Sequence, residues 1–225
     1  MTIKSILFDM DGLMFDTERL SEAQWIAMGK HNQIDITAED VAVLRGKTHA
    51  AGKEAFEKRF GKDIPFEAWA AESNRGLRAQ LAIRVPLRPH LVELLDFLKA
   101  QGFKMAVASS TESTFVEQNL QRAGVRDYFS AVIGGDAVTH SKPAPEIFLT
   151  AAATLCTAPA DCIVLEDSYN GIRAGAAAGC FTVMVPDLDA VTPEMQMLAQ
   201  AIVPDLAAVI PLIKTLQKEG TNDVS

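Results

Sequence analysis

The sequence predicts an α/β protein: a doubly wound parallel sheet with helices on both faces, and an all-helical segment inserted into it. Three observations carry this. Short apolar runs recur as continuous stretches rather than alternating ones, the pattern of strands buried on both faces of a parallel sheet. Helix-patterned segments separate those runs, and strand–helix alternation builds a doubly wound core. The stretch from Thr17 to Arg84 breaks the alternation just after the first strand and contains no convincing strand of its own. The expected organisation is a core of residues 1–16 and 86–225 with a helical cap domain at 17–85.

The first strand is expected at Ser5-Ile6-Leu7-Phe8. Helical patterns follow around Trp25 and Met28, Val41 and Leu44, Ala55 and Phe56, and from Trp69 to Leu81. Trp25 and Trp69 read as the apolar centre of that insert. The core resumes near Pro86. Leu91, Leu94, Leu95 and Leu98 then share one helical face, with Gly102 at a C-terminal cap position. Lys104–Ala108 reads as the second strand, and Phe115, Val116 and Leu120 as the next helix, ending at Gly124. Ala131-Val132-Ile133 is the third strand, and Pro145 suits the first turn of a helix carrying Phe148, Leu149 and Ala152. Ile163-Val164-Leu165 is the fourth, after which Ser168 can cap a helix running toward Gly179. Thr182–Val185 and Ala201–Val203 complete a Rossmann-like core. The polar tail after Lys218 is expected to fray.

Composition narrows the function. The chain has 225 residues and a formal net charge of −8, against the basic face a nucleic-acid binder needs. A small anionic substrate stays compatible, because one metal ion and one lysine reverse the field locally. No apolar run is long enough to cross a bilayer, and Met1 to Lys4 lead into a strand without a signal-peptide pattern, so a cytoplasmic protein is expected; nothing in the sequence demands more than a monomer. Cys156, Cys162 and Cys180 lack zinc-ligand spacing and read as reduced, buried thiols. His31 and His140 read as surface residues.

Polar residues stand directly after the apolar runs. Asp9-Met10-Asp11-Gly12 follows the first, Ser109-Ser110 the second, a loop reaching Lys142-Pro143 the third, and Glu166-Asp167 the fourth. Ligands of an open parallel sheet bind at the carboxyl ends of its strands, so these groups converge on one rim as a metal and phosphate site. Asp9 and Asp167 can both reach a hard cation, and oxygen donors with room for water suit Mg2+. Without the cation the carboxylates repel one another and raise their own pKa values. Ser109 and nearby backbone amides can donate to phosphoryl oxygens, and Lys142 supplies a positive charge. Ser109 could also serve as a helix cap. The side chains of an extended D-x-D point to one side. One carboxylate can attack phosphorus while the other protonates the leaving oxygen, and Asp11 later takes a proton from the hydrolytic water. A calcium-loop reading of the same residues fails, because the glycine stands at the fourth position and Leu20 at the twelfth.

Four segments in order resemble a known family over nearly the whole chain. Phe8-Asp9-Met10-Asp11-Gly12-Leu13 with Asp16-Thr17, Ala106-Val107-Ala108-Ser109-Ser110, Ser141-Lys142-Pro143-Ala144-Pro145, and Leu165-Glu166-Asp167-Ser168 with Asn170-Gly171 are similar to the four motifs of the haloacid dehalogenase-like hydrolases. The similarity is greatest to the sugar-phosphatase and β-phosphoglucomutase branch, whose helical cap is inserted after the first motif. The resemblance implies Asp9 as nucleophile and Asp11 as acid and base. It implies Ser109, Ser110 and Lys142 around the phosphate. It implies Mg2+ held by Asp9, the Asp11 carbonyl and Asp167, with Glu166 as an outer ligand or an orienting residue. Arg45, Gly46, Lys47, Thr48 and His49 resemble the cap loop that meets substrate in relatives. His90 stands where relatives often carry glycine.

By that resemblance the expected activity is hydrolysis of small phosphorylated metabolites. A sugar-phosphate mutase and a catalytically idle binding protein are the alternatives. The idle reading conflicts with every chemical position being filled, and dehalogenase chemistry leaves Asp11 and the metal carboxylates without a purpose. Extending the mutase pattern from the first motif puts Ser21 at its cap histidine and His49 at the arginine that grips a second phosphate. Its hinge-coupled lysine falls near Ser73. Arginine is the bidentate choice for such a phosphate, so these departures favour the phosphatase.

Overall fold

The computed structural model describes residues 2–45 and 49–222. The chain divides into two compact units, residues 1–15 with 87–225, and residues 16–86. In the first unit the strands are β1 (Ser5–Phe8), β2 (Lys104–Ala108), β3 (Ala131–Ile133), β4 (Cys162–Glu166), β5 (Phe181–Met184) and β6 (Ala201–Ile202). They form one parallel sheet in the order β3-β2-β1-β4-β5-β6. Its helices are α5 (Leu91–Ala100), α6 (Ser113–Arg122), α7 (Glu146–Thr154), α8 (Tyr169–Ala177), α9 (Pro193–Leu198) and α10 (Val209–Asn222).

The apolar runs become strands because both of their faces are covered. All residues of β1 and β4 are buried. Leu7, Ala106, Val164, Phe148 and Ala151 share one cluster, and Phe8 meets Phe129 edge to face at 5.6 Å. Burying such apolar side chains contributes roughly 1.5–3 kcal/mol each. The four leucines of α5 are all fully buried, as their spacing predicts. Ser168 caps α8 by accepting from the Gly171 amide.

Strand order creates the functional rim. The chain leaves β1 for β2 and β3 on one side, then crosses to β4 on the other, so β1 and β4 flank the switch point where such sheets bind ligands. Phe8 pairs with Val107 on one side and Leu165 on the other. The residues just past β1, β2 and β4 therefore emerge side by side.

The second unit is helical: α1 (Thr17–His31), α2 (Ala38–Ala42), α3 (His49–Phe60) and α4 (Phe66–Ile83). Its core gathers Trp25, Met28, Val41, Phe56, Phe66 and Trp69. Trp25 stacks on Phe66 at 5.5 Å and packs on Phe56 at 5.1 Å, pairs worth about 0.5–1.5 kcal/mol each beyond burial. Thr37 and Asp40 form a capping box at the start of α2. Among the described residues no helix is long and apolar enough to cross a membrane.

Several expectations change. Cys162 and Cys180 are buried, but Cys156 is exposed: it follows α7 in a left-handed turn at φ 53°, outside the sheet core. Burial pushes the Cys162 and Cys180 thiols up to about 11 and about 12. Of the polar tail after Lys218, residues 219–222 continue α10 to Asn222, and 223–225 lie outside the described residues. Ser109 caps no helix, because α6 starts at Ser113 with Glu112 in the cap position. His90 adopts left-handed backbone at φ 65° before α5, a conformation that glycine reaches without strain.

Candidate active site

Asp9 is the first residue past β1, and its amide donates to the Leu165 carbonyl of β4 at 3.1 Å. That bond fixes its backbone at the switch point. Asp9, Glu166 and Asp167 each offer a carboxylate oxygen, all within 4.8 Å of one another. Lys142 enters from the loop between β3 and α7. Its Nζ donates to Asp9 Oδ1 at 2.5 Å, to Glu166 Oε1 at 2.7 Å and to the Ala108 carbonyl at 3.0 Å. Asp9, Glu166 and Lys142 are all buried.

Burial pushes the Asp9 carboxyl well above the usual carboxylate range; Lys142 pulls it back, and Glu166 and Asp11 add to the rise. Burial also acts to lower the Lys142 pKa, but the Asp9 and Glu166 carboxylates outweigh it and hold the ammonium above its ordinary 10.5. A buried lysine is tolerable here because it is paired and hydrogen-bonded.

Glu166 is occupied on both oxygens: Oε1 takes Lys142, and Oε2 takes the Ser168 amide at 2.9 Å and hydroxyl at 3.0 Å. Gly171 makes room for it, since a Cβ there would stand 1.7 Å from Glu166 Oε1. Gly12 does the same for Asp167: its φ is 83°, and an added Cβ would lie 2.1 Å from Asp167 Oδ2. The motif glycines are thus clearances for carboxylates.

Asp11 is half-buried, and its Oδ2 accepts from Thr111 Oγ1 at 2.8 Å and from Ser109 Oγ at 3.4 Å. Ser109 Oγ in turn accepts from the Thr111 amide at 3.1 Å. Thr111 lay outside the sequence reading; the Ser-Ser-Thr run after β2 is the signal that points to it. Ser110 lies in the same loop, exposed. Asp9, Asp11, Ser109, Lys142, Glu166 and Asp167 thus meet at one rim of the core.

The insert residues sit in the second unit. Arg45 donates to Glu22 Oε2 at 3.2 Å, and the His49 ring meets Glu67 Oε2 at 2.7 Å and packs 5.4 Å from Phe66. Gly46, Lys47 and Thr48 lie outside the described residues.

Asp9, Glu166 and Asp167 gather three carboxyl groups within 4.8 Å of one another, with Lys142 hydrogen-bonded to Asp9 and Glu166. Their donors are all oxygen, which fits a hard divalent cation such as Mg2+ and not a thiolate- or imidazole-bound metal. Asp9 and Asp167 could hold it.

A family model for haloacid dehalogenase-like hydrolases matches residues 3–179. The chain is 33% identical over 176 residues to a fructose-1-phosphate phosphatase of Escherichia coli, covering 77% of this chain and 92% of the relative. It is 30% identical over 190 residues to a β-phosphoglucomutase of Bacillus subtilis, covering 81% of this chain and 83% of that one. A crystal structure of a β-phosphoglucomutase from Clostridium difficile shares the fold with a TM-score of 0.77 at 23% identity, over 98% of this chain and 99% of that one. With its doubly wound sheet, the acidic cluster at its switch point and these similarities, the chain belongs to the haloacid dehalogenase-like hydrolases.

Proposed function

We propose that this chain is a Mg2+-dependent phosphatase of small phosphorylated metabolites, sugar phosphates foremost, working through a phosphoryl group carried on Asp9. The observation that carries the reading is the buried Asp9 carboxylate held against Lys142 beside Glu166 and Asp167. A carboxylate pinned this way is a preorganised nucleophile. The similarity to a fructose-1-phosphate phosphatase supports the sugar-phosphate substrate class. The net charge of −8 supports action on a small metabolite rather than on nucleic acid.

In the first step an Asp9 oxygen bonds to phosphorus as the bond to the leaving oxygen breaks. Asp11 gives its proton to that oxygen, and the alcohol departs. Water then attacks the aspartyl-phosphate, Asp11 takes the water proton, and the Asp9–phosphorus bond breaks to release inorganic phosphate and restore both residues. Ser109, Lys142 and the backbone amides after β1 and β2, Ser110 included, hold the phosphoryl oxygens. Asp9, Asp167 and the Asp11 carbonyl would hold Mg2+, while Glu166 orients Lys142. When bound, Mg2+ neutralises the excess carboxylate charge and the charge on the transferring group. Arg45, Gly46, Lys47 and His49 of the helical unit are the candidates for substrate selection.

The β-phosphoglucomutase relative supports a second reading, return of the phosphoryl group to another hydroxyl of a sugar. The engagement of His49 with Glu67 weighs against a second strong phosphate grip there.

Screening purified protein with Mg2+ against a panel of phosphorylated metabolites tests both readings. Phosphate release is expected from one or more hexose, pentose or deoxysugar phosphates, is abolished by chelation, and falls by about 10³-fold or more in Asp9→Asn with the fold retained. Wild-type rates in Asp9→Asn would remove Asp9 from the chemistry. Conversion of β-glucose 1-phosphate to glucose 6-phosphate faster than phosphate release would favour the mutase.

A further inference from the structure

We infer that Thr111 is a positioning residue for Asp11, an inference that rests on the phosphatase reading above. Its side chain donates to Asp11 Oδ2 at 2.8 Å, a shorter contact than the 3.4 Å from Ser109. Thr111 is itself locked at its other polar atoms. Its amide donates to Ser109 Oγ at 3.1 Å, closing a side-chain turn, and its carbonyl accepts from the Gly135 amide at 2.9 Å. The loop from β3 approaches closely enough that a Cβ on Gly135 would stand 2.3 Å from the Ser110 carbonyl oxygen. The hydroxyl of Thr111 is therefore a fixed point supplied by the β2 and β3 loops.

That fixed point matters because an aspartate carboxyl rotates about two bonds, and proton transfer requires a donor within hydrogen-bond reach of the leaving oxygen. Anchoring Oδ2 sets the plane of the carboxyl. The carboxyl so oriented passes its proton to the leaving oxygen as the phosphorus–oxygen bond breaks and the bond from the Asp9 oxygen to phosphorus forms, and it later accepts the proton of the hydrolytic water. Thr111 touches neither substrate nor phosphorus in this scheme and acts through Asp11 alone.

The test compares kcat/KM for two leaving groups. An alkyl phosphate, such as a hexose phosphate hydrolysed by the wild type, needs its leaving oxygen protonated. The p-nitrophenyl group of p-nitrophenyl phosphate departs as a stable anion without that proton. In Thr111→Val, kcat/KM for the alkyl phosphate is expected to fall about tenfold or more and that for the aryl phosphate less than about threefold. Thr111→Ser should restore the alkyl rate. Thr111→Ala, which removes the hydroxyl without filling its space, should repeat the valine result, with circular dichroism checking the fold of each. Equal losses on both substrates, or no loss on either, would overturn the role of Thr111 while leaving the phosphatase standing. A wild-type chain that hydrolyses neither substrate would overturn the proposed function, and this inference with it.

Discussion

A methyl group on Gly12 would meet Asp167 Oδ2 at 2.1 Å and would sit on a backbone at φ 83°. The strained backbone alone costs about 1–2 kcal/mol for a non-glycine residue. The larger effect falls on the site, because Asp167 must move or the β1 loop must. Gly12→Ala is therefore expected to lower kcat/KM by about 10²-fold, the loss that a displacement near 1 Å produces in an active site. It should also raise the Mg2+ concentration needed for half-maximal activity. Steady-state kinetics across a Mg2+ titration check this, and an unchanged half-saturation would mean that Asp167 tolerates the shift. Of the residues that meet at the rim, Asp9, Asp11, Ser109, Glu166 and Asp167 were legible because they stand at the ends of apolar runs, and Lys142 because of the Ser141-Lys142-Pro143 motif in the loop beyond β3. The occupation of Glu166 by Lys142 and Ser168 was not, since it depends on side chains brought together from different loops. Neither was Thr111, whose hydroxyl reaches Asp11 100 positions away.

The loop that delivers Lys142 is held by the first residue of the following helix. Glu146 accepts from the Thr139 amide at 2.7 Å, the His140 amide at 2.8 Å and the His140 ring at 3.0 Å. Those bonds hold the Glu146 carboxyl below its ordinary 4.5, the backbone amides of Thr139 and His140 contributing most. A depressed folded-state pKa gives a contribution present above the unfolded value and lost as the pH falls through the folded one. Hydrogen-exchange protection at Thr139 and His140 should therefore be flat near neutral pH and decline as the pH drops below about 4.5. Glu146→Ala should lower that protection at neutral pH and remove its dependence on acid; retained protection in the variant would assign the loop's order to other contacts. Element type was readable from the sequence wherever burial is complete, as in β1, β4 and α5. Element ends were less readable. Left-handed backbone at His90 and Cys156 falls on residues with no local signal for it, and the end of α10 lies past a polar stretch that reads as a tail.

At the scale of the whole molecule, the proposed cation site would make the folded chain a better cation ligand than the unfolded one. Mg2+ at about 100 times its dissociation constant is then expected to stabilise the fold by about 2.7 kcal/mol. For a chain of this size that is a rise in melting temperature of about 5–10 °C. Differential scanning calorimetry with and without a chelator measures it. Asp167→Asn should lose most of the rise, and an equal rise in that variant would put the cation elsewhere. The sequence by itself determined the strands, the helical insert and the residue types at the strand ends, because periodicity and burial are properties of local runs. It also carried the family, because four motifs in order are a linear signal. Only the tertiary structure decided that β1 lies between β2 and β4, and so that Asp9 stands between Lys142 and Asp167. Strand order is set by crossovers between distant segments, and the clearances at Gly12 and Gly171 exist only once those segments have met.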